Sequence, residues 1–335
     1  MNPCKAFRVF QEGGRAQGRF TEMRLEELAP GEVLVKVELS SVNYKDALAG
    51  TGAPGLIRRF PCTAGIDLCG TVAESADPEF KPGDGVLATC CGLGESQDGG
   101  YAEYCRVPSA WAVPLPAGLS PFEAMALGTA GFTAALALQR LEHEGLRPGQ
   151  GPVIVTGATG GVGSLSICLL AQAGYRVTAL TGKPDQEGWL KGLGASEVLR
   201  RDSLDFSRIK PLGQAVWAGA VDSLGAQALS WLASTMLPGG AIASIGLAAG
   251  AAFSATVMPF ILRGVSILGI NALSVEAAPR RALWRRLAGE LKPRALDSIA
   301  EPIGFAQLPE AFSRMLAGKV RGRSVVRISG PEASR

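Results

Sequence analysis

The sequence predicts an α/β fold of two domains, in which a doubly wound parallel sheet accompanies a barrel-like β domain. The length of 335 residues is about twice that of a common single domain. Short strands separated by turn residues fill the first third of the chain, whereas strands and helices alternate from residue 152 onwards. Together these observations favour two domains of different architecture.

The first third is predicted to be β-rich. In residues 33–39, β-branched side chains occupy alternate positions and charged side chains occupy some of the positions between them. This alternation is typical of a half-buried strand. Further strands are expected at 64–74, 83–89 and 101–107. The separators Lys81-Pro82-Gly83-Asp84 and Gly99-Gly100 have the chemistry of turns. Closely spaced strands of this kind indicate a barrel-like domain.

The middle of the chain is predicted to form repeated βα units. Residues 153–156 are a short apolar strand of the kind that is buried on both faces of a parallel sheet. Other strands are expected at 175–180, 218–223, 241–246 and 265–270. Helices are expected at 122–141, 162–173, around 189–193, at 226–236 and at 280–291. This alternation predicts a Rossmann-type domain.

The sequence pattern of the C-terminal tail is again similar to that of the first third of the chain. A helix is expected at 308–317 and a strand at 324–328. We therefore expect the tail to fold back onto the N-terminal domain. The predicted boundaries are 1–124 with 302–335 for the barrel-like domain, and 125–301 for the domain inserted between its parts.

Composition excludes several classes of protein. Hydrophobic residues make up 47% of the chain and charged residues 19%, so the chain can bury a core. The net charge of +3 includes no long basic run, which argues against nucleic-acid binding. The apolar stretches are broken short of a bilayer span, so no membrane association is expected. The 7 cysteines show no regular framework and are interpreted as reduced thiols of a cytoplasmic protein.

A glycine-rich run lies between the predicted strand 153–156 and the helix that follows it. The run is Thr156-Gly157-Ala158-Thr159-Gly160-Gly161-Val162-Gly163. Small residues allow backbone N–H groups to approach a pyrophosphate, and the positive end of the helix points at its charge. An ordinary tight turn is the alternative. The strand–loop–helix context favours a dinucleotide site.

The end of the second strand indicates the coenzyme. Sites for NAD usually place a carboxylate there to bind the ribose 2′-hydroxyl. This chain has Thr181-Gly182-Lys183 instead, and Arg200 and Arg201 follow the next strand. A hydroxyl and cations suit a 2′-phosphate, so NADPH is predicted. The alternative is that Lys183 belongs to an ordinary surface loop.

No metal site is expected. The single histidine, His143, lies in a polar stretch that is typical of a solvated helix end. A catalytic zinc needs three protein ligands and a structural zinc needs closely spaced cysteines. Cys90, Cys91 and Cys105 do not make such a set.

Four motifs of the chain are the most specific to a family. They are NYKDAL at 43–48, GID at 65–67, VWAGAVD at 216–222 and TVMPFILR at 256–263. With these motifs the chain resembles the medium-chain dehydrogenase/reductases, and more narrowly their zinc-free acryloyl-CoA reductase branch, also known as quinone oxidoreductases, over nearly its whole length. Where zinc-dependent relatives carry Gly-His-Glu, this chain has Gly65-Ile66-Asp67. The resemblance implies a GroES-like barrel domain in addition to the Rossmann domain.

The resemblance also implies a set of NADPH contacts. The family binds the 2′-phosphate with a Ser-Gly-Arg triplet, and this chain has Thr-Gly-Lys at the same place. The change keeps a hydroxyl and a positive charge, but lysine lacks the guanidinium that can donate two parallel hydrogen bonds to a phosphate. Relatives commonly have Ser where this chain has Ala272. The implied contacts are Tyr44, Thr159, Gly160, Gly161, Val162, Thr181, Gly182, Lys183, Arg201, Leu247, Ile261, Ala272 and Arg323.

The implied reaction is hydride transfer from NADPH to the β-carbon of a short enoyl-CoA such as acryloyl-CoA. Tyr44 is the candidate catalytic residue, either as a donor to the thioester oxygen or as a cofactor contact only. It is expected with Asn43 at the end of the strand region 33–39. Asp67 is a weaker candidate, and the alternative is that it only holds a backbone turn. The alternatives are a quinone or enone reductase and a catalytically silent NADPH sensor.

The expected partners are a small-molecule substrate and a second copy of the chain. The strand at 266–270 is apolar and comes late in the sheet order. It is therefore predicted to be an edge that pairs with its twin in a homodimer, the alternative being an ordinary covered strand.

Overall fold

A computed structural model of the protein describes residues 3–329, and the chain forms two compact units. Within the described residues, the first unit comprises 3–129, 272–289 and 296–329, and the second comprises 130–271 and 290–295. The predicted fold class, a Rossmann-type sheet with a GroES-like domain, is confirmed. The predicted domain limits stay a prediction, and their residues 1–2 and 330–335 lie outside the described chain.

The N-terminal part of the first unit contains eight strands and one helix among its described residues. They are β1 (Cys4–Glu12), β2 (Arg15–Met23), β3 (Val33–Ser41), α1 (Tyr44–Gly50), β4 (Cys62–Thr63), β5 (Asp67–Ser75), β6 (Gly85–Thr89), β7 (Tyr104–Val107) and β8 (Val113–Pro114). The strands expected from residue 33 onwards are present within a few residues of their predicted limits, and the one expected at 64–74 corresponds to β5. The sequence did not predict β1, β2, α1 or the two-residue strands β4 and β8.

The middle of the chain alternates strands and helices as predicted. Its elements are α2 (Pro121–His143), β9 (Val153–Thr156), α3 (Gly161–Gln172), β10 (Val177–Thr181), α4 (Glu187–Gly192), β11 (Ala195–Arg200), β12 (Trp217–Asp222), α5 (Ala226–Thr235), β13 (Met236–Ser244), α6 (Met258–Arg263) and β14 (Ser266–Gly269). The backbone of α2 leaves helical geometry at Gly128, where φ is 49° and ψ is −152°.

The second unit is built on a six-stranded parallel sheet in the order β11-β10-β9-β12-β13-β14. The strand order reverses between β9 and β12, which is where sheets of this kind bind dinucleotides. Its core includes Ile154 of β9, Ala220 of β12 and Ile242 of β13, all fully buried. The sheet therefore presents the carboxyl ends of β9 and β12 side by side.

The C-terminal part completes the first unit. Its elements are α7 (Ala277–Ala288), α8 (Leu296–Ile299), β15 (Ala300–Gly304), α9 (Leu308–Leu316) and β16 (Arg323–Arg327). Strand β16 pairs antiparallel with β3, so the tail joins the seven-stranded sheet β15-β16-β3-β5-β6-β8, in which β7 also pairs with β3. A three-stranded sheet, β2-β1-β4, belongs to the same unit.

Helix α7 belongs to the first unit, although its residues lie inside the predicted limits 125–301 of the nucleotide domain. The physical reason lies in its arginines. Arg280 is buried and donates to the backbone oxygen of Thr89 at 3.1 Å, and Arg281 forms an ion pair with Glu79. These contacts link residues about 200 positions apart, so helical periodicity alone does not reveal them.

Helix α2 is the one element of the described chain with the length and hydropathy of a membrane span. Its mean hydropathy is 1.2 over an 18-residue window, and 72% of that window is buried within the fold. Core helices of soluble proteins have the same properties, and the break at Gly128 interrupts the helix. The helix is therefore weak evidence for a membrane location.

Candidate functional site

The glycine-rich loop connects β9 to α3 in the second unit. Gly157 has a φ of 61°, which favours glycine, and Gly160 caps the first turn of α3. A Cβ on Gly163 would lie 2.3 Å from the carbonyl oxygen of Gly157, so the backbone excludes any side chain there. The loop thus presents a bare backbone at the N-terminus of a 12-residue helix, which suits a pyrophosphate.

Asp222 holds together the two strand ends beside this loop. The Thr156 hydroxyl donates to Asp222 Oδ1 at 2.6 Å, and the Gly225 amide donates to Oδ2 at 2.9 Å. Burial raises the pKa of Asp222, while these hydrogen bonds act in the opposite direction. Since its oxygens are occupied by protein donors, Asp222 supports the reversal point of the sheet.

The residues predicted to bind a 2′-phosphate lie together at the ends of β10 and β11. The hydroxyl of Thr181 accepts the Lys183 amide at 3.0 Å, which shapes the turn after β10. The Cζ atom of Arg201 lies 3.8 Å from the position that a Cβ would take on Gly182. Burial lowers the pKa of Lys183, and the charge of Asp185 opposes that shift. Arg201 is exposed and forms no ion pair with any described residue. This cluster can accept an anion.

The remaining predicted contacts of the second unit are apolar and exposed. Leu247 follows β13 and is 59% exposed, and Ile261 on α6 is 73% exposed. Leu247 lies close to Gly225, because a Cβ on Gly225 would be 3.4 Å from Leu247 Cα. Both side chains are free to pack against a ring system.

Tyr44 is the first residue of α1 in the first unit and is 45% exposed. Asn43 caps this helix, and its backbone N–H donates to Asp46 Oδ2 at 2.9 Å. The sequence placed both residues at the end of the strand region 33–39. The structure corrects this, because the strand ends at Ser41 and a capped helix begins at Tyr44. The spacing Asn-x-x-Asp was the sequence signal for the cap.

Asp67 is the centre of a buried polar cluster in the first unit. It accepts the Ser41 hydroxyl at 2.5 Å and the Asn43 side-chain amide at 2.8 Å, both on Oδ2. The hydroxyl of Thr129 donates to Oδ1 at 2.5 Å. A Cβ on Gly128 would lie 2.5 Å from Asp67 Oδ2, so the break in α2 brings bare backbone against this carboxylate. Asp67 therefore holds the backbone around Gly128, and the sequence missed Asp46 as its neighbour.

Two further predicted contacts, Arg323 and Ala272, are buried. Arg323 is 2% exposed, and its nitrogens donate to the backbone oxygens of Ala126 at 3.1 Å and Val42 at 2.9 Å and to the Ser41 hydroxyl at 2.6 Å. The backbone oxygen of Ala272 accepts Arg280 at 3.0 Å. Their side chains therefore belong to the interior of the first unit, and the structure does not bring them to its surface.

The polar cluster does not suit a metal ion. The described residues contain no group of three or more His, Cys, Asp or Glu side chains arranged around one point. The carboxylate of Asp67 already faces a cation, since Arg323 Nη2 lies 3.6 Å from its Oδ2. A zinc ion would have to displace that guanidinium and several short hydrogen bonds, so these residues do not fit it.

The cysteines are free thiols, and one of them lies beside the polar cluster. The Sγ of Cys90 is 3.2 Å from the hydroxyl of Thr129. Burial raises the pKa of Cys90 to about 11. The thiol therefore stays protonated at neutral pH, which does not suit a nucleophile.

Comparison with known proteins agrees with this geometry. Residues 29–117 match the family described as alcohol dehydrogenase GroES-like domain, and residues 161–288 match zinc-binding dehydrogenase. The chain is 44% identical over 319 residues to a Ruegeria pomeroyi protein named acrylyl-CoA reductase AcuI, covering 95% of this chain and 97% of the relative. The chain belongs to the medium-chain dehydrogenase/reductase family. It is thus an oxidoreductase.

Two solved structures of medium-chain dehydrogenase/reductases are similar to this chain throughout. The Escherichia coli K-12 protein YhdH with bound NADPH is 41% identical with a TM-score of 0.93, over 97% of this chain and all of that one. The Bacillus subtilis protein YhfP with bound NAD is 43% identical with a TM-score of 0.93, over 98% of this chain and all of that one. The family thus includes similar members that were solved with either coenzyme.

Proposed function

We propose that this protein reduces the C=C bond of a short α,β-unsaturated acyl-CoA, such as acryloyl-CoA, with NADPH. The near full-length similarity to the Ruegeria pomeroyi acrylyl-CoA reductase carries the proposal. The anion-accepting cluster of Thr181, Gly182, Lys183 and Arg201 supports the choice of NADPH, because NAD has no 2′-phosphate for it to bind.

The chain's own groups suit each part of this coenzyme. We propose that the backbone from Thr159 to Val162 binds the pyrophosphate at the N-terminus of α3, and that Leu247 and Ile261 pack against rings. When bound, NADPH supplies a hydride for the β-carbon of the substrate. For Arg323, which lies in the polar cluster, and for Ala272, whose backbone oxygen accepts Arg280, we propose a supporting role, because both side chains are buried.

Tyr44 is the candidate donor to the thioester oxygen, on which negative charge develops during the reduction. Its phenol is half-exposed at the start of a helix whose cap is held by buried carboxylates. A hydroxyl in that position can donate a hydrogen bond to an oxyanion. The competing role is contact with the coenzyme alone. Tyr44→Phe separates the two, because loss of the donor lowers kcat by roughly tenfold or more, whereas a contact role leaves turnover nearly unchanged.

We also propose a cytoplasmic homodimer. Free, mostly buried thiols agree with a reducing compartment. Strand β14 is an edge of the six-stranded sheet, and its residues are half-buried or exposed. An apolar edge strand of this kind can pair with its twin around a two-fold axis.

The test of the reaction is the loss of NADPH absorbance with acryloyl-CoA, a quinone and a free enone as separate substrates. We expect turnover to be fastest with acryloyl-CoA. Faster reduction of the quinone or the enone would contradict the proposed substrate class. Tight NADPH binding without turnover on any of the three would instead indicate a catalytically silent NADPH sensor.

A further inference from the structure

The cap of α1 lies between two buried carboxylates that share one amide group. The Asn43 side-chain nitrogen donates to Asp46 Oδ2 at 3.1 Å and to Asp67 Oδ2 at 2.8 Å. Its side-chain oxygen accepts Arg323 Nη1 at 3.0 Å. Because all its polar atoms are engaged, the Asn43 side chain has one orientation, and the residue after it is Tyr44.

Asp46 makes this arrangement sensitive to charge. Its Oδ2 accepts both the backbone and the side-chain N–H groups of Asn43, and its Oδ1 accepts the Ile66 amide at 2.9 Å. An ionised carboxylate accepts hydrogen bonds roughly twice as strong as those to a neutral group. Ionised Asp46 therefore holds Asn43 more firmly than protonated Asp46 does.

The charges around Asp46 are unbalanced. Asp67 on β5, Tyr101 before β7 and Arg323 on β16 are the titratable groups that face it. The cluster thus has two carboxylates and one guanidinium, all buried. Burial, and then the charge of Asp67, raise the pKa of Asp46 to about 7, although its three hydrogen bonds act against the shift. Asp46 therefore changes charge within the neutral range.

We propose that Asp46 and Asn43 are positioning residues for Tyr44, and that ionisation of Asp46 strengthens their hold on the start of α1. The proposal rests on the role of Tyr44 in the proposed reduction. Neither residue needs to touch the substrate, since both act through the helix cap.

The first test is the pH dependence of turnover between about pH 5.5 and 8.5. In the wild type we expect kcat to rise by roughly threefold to tenfold, with an inflection near neutral pH. Asp46→Asn removes the titrating group, so its profile has no inflection there. Asp297→Asn is the matched control, because this exposed aspartate lies in the first turn of α8, outside the cluster, and the variant is expected to keep the wild-type profile. A flat wild-type profile, or an inflection retained in Asp46→Asn, contradicts the proposal.

The second test needs no substrate and no variant. Hydrogen exchange of the Asn43 amide in the wild type, corrected for intrinsic exchange, reports the strength of its bond to Asp46. We expect the protection factor of this amide to rise, relative to those of other slowly exchanging amides of the first unit, as pH increases through 7, and a constant ratio overturns the proposal. Since this measurement is independent of turnover, it separates failure of the positioning role from failure of the proposed reaction, and it remains decisive if Asp46→Asn does not fold.

Discussion

In the glycine-rich loop, the backbone leaves no room for a side chain at Gly163. Its missing Cβ would approach the Gly157 oxygen to 2.3 Å, a distance that real side chains do not reach. The neighbouring atom is backbone, so it cannot move without reshaping the loop between β9 and α3. The glycine is therefore needed for packing as well as for access to a pyrophosphate.

Gly163→Ala is expected to weaken NADPH binding by tenfold or more and to lower the stability by roughly 1–3 kcal/mol. Thermal unfolding and NADPH fluorescence titration measure the two effects. Gly188→Ala is the control. It lies in α4 with nothing within 4 Å of the added Cβ, so it should stabilise the helix slightly. Unchanged NADPH binding in Gly163→Ala would show that the loop tolerates a side chain.

Lys183 follows Thr181 and Gly182 at the end of β10, and the Arg201 guanidinium lies close to Gly182. This grouping predicts discrimination between coenzymes. Lys183→Glu reverses the charge that meets a 2′-phosphate. We expect the Kd for NADPH to rise by roughly 10- to 100-fold and the Kd for NADH to change little. Lys210→Glu makes the same charge change at an exposed position and serves as the control. Equal weakening of both coenzymes would contradict a 2′-phosphate site.

Among the secondary-structure elements, those with strong local signals were predicted well. Strand β9 has its predicted limits, and α3 begins and ends one residue away from them. A continuous apolar run and a glycine-terminated helix explain this accuracy. Strand β2 was missed because nearly all its residues are exposed or half-buried and only Ala16, Phe20 and Met23 are apolar, so its sequence has no regular apolar alternation. Helix α1 was missed because it has only 7 residues and depends on its cap.

Only part of the candidate site was predicted, because local sequence signals again decide what can be recognised. Contiguous motifs identified the glycine loop and the cluster after β10. Asp46 and Thr129 meet Asp67 only through the fold, across separations of up to 62 residues. Arg323, a predicted coenzyme contact, is buried among Ser41, Val42 and Asn43. Burial depends on the tertiary partners of a residue, and local sequence patterns do not specify those partners.

Edge strand β14 allows a direct test of subunit association. The Ile270 amide donates to Ser244 of β13, so by alternation the Gly269 amide points away from the sheet. Gly269→Pro removes this outward donor at an exposed position with open space around it. We expect sedimentation equilibrium to give about twice 34.7 kDa for the wild type and a single chain mass for the variant. A monomeric wild type would end the dimer proposal.

For the whole molecule, the buried carboxylates predict how stability changes with pH. The folded-state pKa of Asp46, about 7, lies above its usual value of 3.8. Its protonation therefore stabilises the fold fully below about pH 4, and this contribution is lost as the pH rises through 7. Relative to Asp46→Asn, the wild type should lose roughly 2–4 kcal/mol over this range. Chemical unfolding of both proteins at several pH values checks this, and a difference independent of pH would refute it.

The pairing of β16 with β3 has a consequence for how the protein is made. Ser41 and Arg323 are 282 positions apart, so the ribosome adds Arg323 roughly 15–60 s after Ser41 at rates of about 5–20 residues per second. During that interval the nascent first unit lacks the last strand of its sheet and the only guanidinium seen in its polar cluster among the described residues. The second unit is almost continuous in sequence and can fold first. Until the tail is made, the nascent chain therefore exposes an unpaired edge of β3, the kind of edge that favours aggregation.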